Sequence, residues 1–155
     1  MEDFGPPRFE EFGPLLIAGL AESYTDETSA GIPAQWQRFV PHLGHVPGQM
    51  GGVAYGLLFP TAIPGHWDYA CGVQVSDFAD LPAEFQQFSL PKKKYAVFSH
   101  RGYISTLRST WDHIWSKWLP ESGMRISRDA RIERYSETFR PTEMGGVEIW
   151  IPIAR

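Results

Sequence analysis

The chain repeats its pattern of predicted elements after 79 residues, and this repeat limits the possible folds more than any other feature of the sequence. Two segments with the apolar spacing of a helix end at Pro41 and Pro120, and 120 − 41 = 79. The same shift carries Trp36 onto Trp115 and aligns two pairs of predicted strands. A repeat of this kind indicates two similar halves related by a pseudo-two-fold axis.

Each half contains a predicted strand, a helix and two further strands. Apolar runs between glycines and prolines indicate the strands, and apolar side chains at the helical period indicate the helices. We therefore predict an α+β fold, in which two β-α-β-β units form one curved antiparallel sheet with both helices on the same face. A central groove between the helices would be the natural site for a small ligand. The predicted strands cover residues 12–22, 51–59, 66–76, 95–100, 130–139 and 146–153, the helices begin at Pro33 and Tyr103, and residues 82–88 form a connector.

The length and composition favour one ordinary domain. At 155 residues, with repeat halves at roughly 8–78 and 90–155, the chain is long enough to bury a core of its own. No apolar run reaches the ~20 residues of a membrane-spanning helix. The N-terminus lacks the basic and apolar regions of a signal peptide. We expect a single domain over residues 1–155, a cytoplasmic location and no membrane contact.

The charge and the reactive side chains argue against several kinds of site. A net charge of −4 disfavours direct binding to nucleic acid, which requires a basic surface. The single cysteine, Cys71, cannot form an internal disulfide, and the five histidines have no spacing typical of metal ligands. The sequence contains no nucleophile elbow, GxGxxG or phosphate-binding loop. We expect no metal and no cofactor, and these motifs assign no catalytic residue.

The predicted last strand carries an acidic residue among aromatic side chains. Alternation along the strand places Glu148 and Trp150 on one face. The repeat carries Tyr69 onto Glu148, because 69 + 79 = 148, and Trp67 shares a strand face with Tyr69. A carboxylate attracts a cation, and each aromatic ring face adds ~0.5–2 kcal/mol of cation–π attraction. These residues predict a site for hydrophobic, cationic aromatic molecules, unless Glu148 instead pairs with an arginine such as Arg134.

Aromatic residues make up 14% of the chain, and some of them are further candidates for the walls of the groove. Core packing is the default role of a tryptophan on the apolar face of a helix. The helical residues Trp36, Trp111 and Trp115 are nevertheless candidates, and the strand residues Tyr55 and Phe98 could line either side of the sheet. The predicted ligand-binding set is therefore Glu148, Trp150, Tyr69, Trp67, Trp115, Trp111, Trp36, Tyr55 and Phe98.

Three segments of the chain resemble one known family. They are KKKYAVFSHRG at residues 92–102, IWSKWLPESGM at 114–124 and the terminal VEIWIPI at 147–153. In this order and spacing they resemble the GyrI-like small-molecule-binding domain, also called the AraC-type effector-binding or gyrase-inhibitor-like domain. The resemblance implies a two-fold pair of β-α-β-β units with a ligand in the central groove. It also implies that the acidic residue of the last strand, Glu148 here, contacts cationic drugs beside Trp150.

The resemblance leaves three functions open. The first is a sensor or sequestering protein for lipophilic cations. The second is a hydrolase of small electrophilic compounds, in which Tyr69 or Tyr55 would act with Glu148. The third is an interaction module for gyrase or for a separate DNA-binding regulator, which acidic loop residues such as Asp77 and Asp80 could serve. Family members often carry a DNA-binding domain ahead of this one, and because the first strand starts near residue 9 we expect a stand-alone member.

Overall fold

One antiparallel sheet forms the framework of the protein, for which a computed structural model describes residues 4–154. Its strands are β1 (Arg8–Phe12), β2 (Leu15–Thr25), β3 (Gln49–Pro60), β4 (His66–Val75), β5 (Gln86–Leu90), β6 (Lys93–His100), β7 (Arg125–Ile126), β8 (Arg131–Tyr135) and β9 (Val147–Ala154). They follow the order β1-β6-β9-β8-β3-β4-β2-β5, and β7 pairs with β9 outside this order. The sheet curls into a half-barrel, which confirms the predicted α+β fold.

Two helical segments lie on the same face of the sheet. Helix α1 (Ile32–Phe39) carries Pro33 in its first turn, a position that tolerates the missing N–H. The second segment begins as α2 (Leu107–His113), passes through one π-helical stretch and ends as α3 (Leu119–Ser122). Pro120 has no N–H to donate, which interrupts regular α-helical bonding at this point. None of the helices between residues 4 and 154 is long and apolar enough to cross a membrane.

The two halves are arranged as the repeat predicts. The first half is β2-α1-β3-β4 and the second is β6-α2-β8-β9, and β3 pairs with β8 at the centre of the sheet. The prediction of a connector over residues 82–88 is wrong, because Gln86–Leu90 forms the edge strand β5. β1 precedes the first half but pairs with β6, and β5 precedes the second half but pairs with β2. This exchange ties each half to the other at both edges of the sheet.

The strand faces differ from those that a shift of 79 residues implies. In β4, Tyr69 faces the helices, and in β9 the helix-facing residues include Val147 and Ile149. These residues all have odd numbers, so an even shift relates them, whereas 79 is odd. Because strand side chains alternate, a slip of one residue moves Glu148 and Trp150 to the face away from the helices. The repeat therefore predicts the topology correctly and the orientation of Glu148 wrongly.

Candidate functional site

A cavity of about 1280 Å³ opens between α1 and α2, above the central strands of the sheet. Five of the nine predicted ligand-binding residues line it, namely Trp36, Trp67, Tyr69, Trp111 and Trp115. They come from α1, from β4 and from the second helical segment, which belong to both halves of the repeat. The structure therefore brings the helical tryptophans and the aromatic side chains of β4 together in one hollow.

The carboxylate at the floor of this cavity is Glu133, on β8. Glu133 lines the cavity and is only 6% exposed. Its Oε1 accepts hydrogen bonds from the Tyr69 hydroxyl at 2.7 Å and from the Tyr135 hydroxyl at 2.9 Å. Its Oε2 accepts a third hydrogen bond from the indole Nε1 of Trp111 at 3.0 Å. Three donors thus converge on one buried carboxylate.

The hydrogen-bond network joins the two halves of the protein. The indole Nε1 of Trp36 donates to the Tyr69 hydroxyl at 2.9 Å, and this hydroxyl in turn donates to Glu133. Trp36 and Tyr69 belong to the first half, whereas Trp111, Glu133 and Tyr135 belong to the second. The site therefore lies at the junction of the two units and needs both of them.

Gly56 makes room for this network. It lies on β3, directly opposite Glu133 in the register of the two central strands. A Cβ atom at position 56 would lie 2.4 Å from the Tyr69 hydroxyl oxygen and 2.7 Å from Oε1 of Glu133. Both distances are shorter than a nonbonded carbon–oxygen contact allows, so a larger residue would displace one of the two groups. The site therefore requires a glycine at position 56, which leaves space for the Tyr69 hydroxyl and the Glu133 carboxylate.

No basic group neutralises Glu133 within the described part of the chain. Its three partners are neutral donors, and no lysine, arginine or histidine nitrogen among residues 4–154 lies within 4.0 Å of its carboxylate. Burial raises the pKa of the Glu133 carboxyl, and the donated hydrogen bonds oppose this rise only in part. Burial and the nearby charge of Glu133 also raise the pKa of Tyr69 and Tyr135 well above the usual value. Both tyrosines therefore remain protonated donors.

Glu148, the predicted acid of the site, lies outside the cavity and is neutralised. The Nη2 atom of Arg8, on β1, lies 2.8 Å from its Oε2, and the Nη1 atom of Arg134 lies 4.0 Å from its Oε1. The indole of Trp150 also donates to Oε1 at 3.2 Å. The expectation of an unpaired Glu148 in the groove is wrong, because the register turns it away and Arg8 crosses from the edge strand to pair with it. The alternative pairing with Arg134 is present, with Arg8 as the closer partner.

Three predicted wall residues also lie away from the cavity. Trp150 and Tyr55 are buried in the core on the face opposite the helices. Phe98 faces the second helical segment and meets Trp118 edge-on, with the ring centroids 4.9 Å apart. Their rings fill the core, and none of the three is a cavity-lining residue.

Glu133 is absent from the predicted ligand-binding set, and the residue pattern of β8 explains why. The strand reads RIERY, with Arg131 on the face of Glu133 and Arg134 on the other face. Because both faces of this short strand carry charged residues, the pattern does not show which of them is buried. The available signal is Gly56, since a lone glycine inside a strand often marks the close approach of another group.

The other reactive or acidic candidates do not extend the site. Cys71 is fully buried, and burial raises the pKa of its thiol to about 12, so the thiol stays protonated at neutral pH. Asp77 and Asp80 lie exposed between β4 and β5, and their role in a protein interaction stays a prediction. Among residues 4–154, no group of three histidine, cysteine, aspartate or glutamate side chains could hold a metal ion.

The fold and the cavity together define a small-molecule-binding domain built from two β-α-β-β units. The chain belongs to the GyrI-like family, because residues 5–154 match the GyrI-like small molecule binding domain. This match covers all but the ends of the chain and confirms the resemblance carried by the three sequence segments.

The chain is similar to one transcriptional regulator and to two solved structures. The transcriptional regulator BrlR of Pseudomonas aeruginosa is 30% identical over 121 residues, which cover 76% of this chain and 44% of BrlR, so the chain spans less than half of that relative. The structure of SAV2435 bound to tetraphenylphosphonium matches with a TM-score of 0.79 and 20% identity, over 99% of this chain and 94% of SAV2435. An integron cassette protein from the mobile metagenome of Vibrio cholerae matches with a TM-score of 0.71 and 19% identity, over 97% of each chain. At these identities the structural matches show the fold.

Proposed function

We propose that the cavity binds lipophilic aromatic cations and that Glu133 is their counter-ion. The observation that carries this proposal is the buried Glu133 carboxylate, which three neutral donors hold in place and no described basic group neutralises. Burying a carboxylate without a counter-ion is costly, and a bound cation would offset part of that cost. A large organic cation with a delocalised charge is favoured, because it loses less hydration on entry than a compact ion.

The aromatic walls suit a ligand with several flat apolar groups. Trp111 and Trp115 lie side by side on the second helical segment, with ring centroids 5.9 Å apart and 17° between their planes. Trp36 and Trp67 line the cavity from the first half. Each accessible ring face can add ~0.5–2 kcal/mol of cation–π attraction. The cavity of about 1280 Å³ exceeds the ~300–1,000 Å³ of ordinary ligand sites, which leaves room for ligands of several shapes.

Two relatives support this ligand class and a sensing role. SAV2435 has been solved with tetraphenylphosphonium, which is a lipophilic aromatic cation. BrlR is a transcriptional regulator, and the chain matches 44% of its length. We infer that the domain senses or sequesters such cations, with any contact to DNA made by a partner or by another domain.

Calorimetric titration with a cation and a neutral compound of similar shape tests the proposal. Tetraphenylphosphonium and triphenylphosphine oxide both present phenyl rings around phosphorus, but only the first carries a permanent charge. We expect the wild-type protein to bind the cation at least about tenfold more tightly, a difference of ~1.4 kcal/mol. In Glu133→Gln the two affinities should converge. Equal affinities in the wild-type protein would contradict the role of a buried counter-ion.

A hydrolase is the second candidate, and the 2.7 Å contact between the Tyr69 hydroxyl and Glu133 favours it. Glu133 would take a proton from water while the water oxygen bonds to an electrophilic carbon. As the bond from that carbon to its leaving oxygen breaks, Tyr69 would donate its proton to the oxygen, and Glu133 would then return a proton to Tyr69. The raised pKa of the Glu133 carboxyl suits a general base.

Styrene oxide, a small aromatic epoxide, separates the two candidates. A hydrolase would convert it to the diol, which chromatography detects. For a hydrolase we expect Tyr69→Phe to abolish diol formation while tetraphenylphosphonium still binds. Diol formation no faster than in buffer would argue against the hydrolase and leave the binding function unaffected.

A further inference from the structure

Among residues 4–154, seven aspartate, glutamate and arginine side chains line the cavity, and only two of these seven are withdrawn from solvent. Glu133 is buried, and Arg131 is partly buried. The other five are exposed, namely Asp26, Arg108, Asp112, Glu137 and Arg140. Exposed charges are screened by water, so Glu133 and Arg131 dominate the electrostatic character of the interior. The interior of the cavity therefore presents one positive group, Arg131, and one negative group, Glu133.

Arg131 lines the cavity without a carboxylate partner among the described residues. Its guanidinium lies 5.9 Å from the centre of the Trp115 ring, and its Nη1 donates a long hydrogen bond of 3.4 Å to the backbone carbonyl of Asp129. The Asp129 carboxylate instead pairs with Lys93 at 3.3 Å. Partial burial lowers the pKa of Arg131, the nearby charge of Arg128 lowers it further, and the charge of Asp129 opposes this shift only in part. Its remaining N–H groups are therefore available to an anionic group in the cavity.

The positions of Arg131 and Glu133 on β8 place both charged side chains on one face of the sheet. Arg131 and Glu133 are two residues apart on one strand, so their side chains share the helix-facing side, and their Cα atoms are about 6.6 Å apart. Trp115 extends from the second helical segment over the Arg131 end, whereas Trp111 donates to the Glu133 end. A ligand that spans the cavity floor would meet an anion at one end and a cation at the other.

From this arrangement we propose that the preferred ligands are zwitterionic: an aromatic cation beside Glu133 that also carries a carboxylate or another anionic group, bound by Arg131. The inference rests on the proposed cation site and adds a second recognition point to it. It also predicts selectivity, because a purely cationic ligand leaves Arg131 unpaired in a partly desolvated place. A ligand with an anionic arm pairs both groups at once.

Two matched phosphonium compounds test this inference by calorimetry at neutral pH. (4-Carboxybutyl)triphenylphosphonium is a zwitterion, and its ethyl ester is a cation of nearly the same shape. We expect the wild-type protein to bind the zwitterion about tenfold to a hundredfold more tightly, as a charge-assisted hydrogen bond to arginine allows. Arg131→Gln should remove this preference. Arg131→Lys should retain part of it, and Arg108→Gln, which changes an exposed arginine of the same cavity, should leave it intact.

The design separates the failure of this inference from the failure of the cation site. If the ester does not bind to the wild-type protein, the proposed function itself is contradicted. If the ester binds and the zwitterion binds no more tightly, or if the preference survives in Arg131→Gln, only the role of Arg131 is overturned. Thermal unfolding of each variant checks that the fold is retained, and Glu133→Gln should weaken the binding of both compounds.

Discussion

The hydroxyl of Tyr69 donates a 2.7 Å hydrogen bond to the carboxylate of Glu133, and the two residues belong to opposite halves of the repeat. The contact spans 64 residues of sequence and crosses the centre of the sheet. The position of the Glu133 carboxylate in the cavity therefore depends on a residue of the other half. Changes that disturb this contact should affect both the stability of the protein and its affinity for cations.

Replacing Tyr69 tests the network that holds the buried acid. Tyr69→Phe removes one donor to Glu133 and also removes the acceptor of the Trp36 indole N–H. Because the buried Glu133 carboxylate and the partly buried Trp36 indole each lose a partner, we expect the free energy of unfolding in urea to fall by about 2–4 kcal/mol. Tyr135→Phe removes only one hydrogen bond to Glu133 and should cost less. Equal losses in the two variants would contradict the linked network.

Adding a methyl group at Gly56 should disturb the hydrogen bond between Tyr69 and Glu133. In Gly56→Ala the new Cβ would meet the Tyr69 hydroxyl oxygen at 2.4 Å, so the ring or the strand must shift. We expect lower stability and weaker binding of tetraphenylphosphonium. Removing that oxygen relieves part of the clash, so Gly56→Ala should cost at least about 0.5 kcal/mol less in the Tyr69→Phe background. Additive losses in the double variant would show that the two positions do not interact.

The affinity for a permanently charged cation should rise with pH. Tetraphenylphosphonium does not titrate, whereas the pKa of Glu133 is raised above its ordinary value of 4.5 by burial. As the pH falls through this raised pKa, Glu133 gains a proton and the attraction is lost. Calorimetry at a series of pH values should show this change in the wild-type protein and a flat profile in Glu133→Gln.

The stability of the unliganded protein should change with pH in the opposite sense. The unfolded chain ionises Glu133 near pH 4.5, but the folded protein keeps the proton to higher pH. The folded state therefore binds more protons in this window, and the contribution of Glu133 to the free energy of unfolding falls as the pH rises through it. Comparing urea unfolding of the wild-type protein with that of Glu133→Gln isolates this contribution. A difference between the two proteins that does not vary with pH above 4.5 would contradict a raised pKa.

The ion pair on the far face should matter little for ligands. The Arg8 and Glu148 side chains are 47% and 24% exposed, so solvent screens their attraction. We expect Arg8→Gln to lower the free energy of unfolding by about 1 kcal/mol or less. Its affinity for tetraphenylphosphonium should equal that of the wild-type protein, because Arg8 does not line the cavity. A clear loss of affinity would place the ligand near Glu148 instead.

The topology could be predicted from the sequence because it depends on local patterns that occur twice. Helical spacing of apolar residues before Pro41 and Pro120, and alternating residues in the strands, are visible within short windows. The same repeat relates Trp36 to Trp115, and both residues line the cavity. The repeat does not predict on which face of its strand Glu148 lies, because a slip of one residue between the halves reverses every side chain of a strand.

The partners of the buried acid could not be predicted from spacing. Glu133 is identified by contacts with Tyr69 on β4 and Trp111 on α2, which only the folded sheet and helices bring together. Arg8, which neutralises Glu148, comes from a short edge strand that is exchanged between the halves. Strand pairing across the whole chain therefore decides that Glu148 has a basic partner and that Glu133 has none among the described residues.

Calorimetric titration of two matched variants, Glu133→Gln and Glu148→Gln, with tetraphenylphosphonium shows which of the two acids is the counter-ion of a bound cation. Both changes replace a carboxylate with an amide of the same shape, one in the cavity floor and one on the opposite face. We predict that Glu133→Gln weakens binding at least tenfold, by ~1.4 kcal/mol or more, while Glu148→Gln leaves the affinity unchanged. Loss of binding in Glu148→Gln with normal affinity in Glu133→Gln would contradict the assignment of Glu133 as the counter-ion.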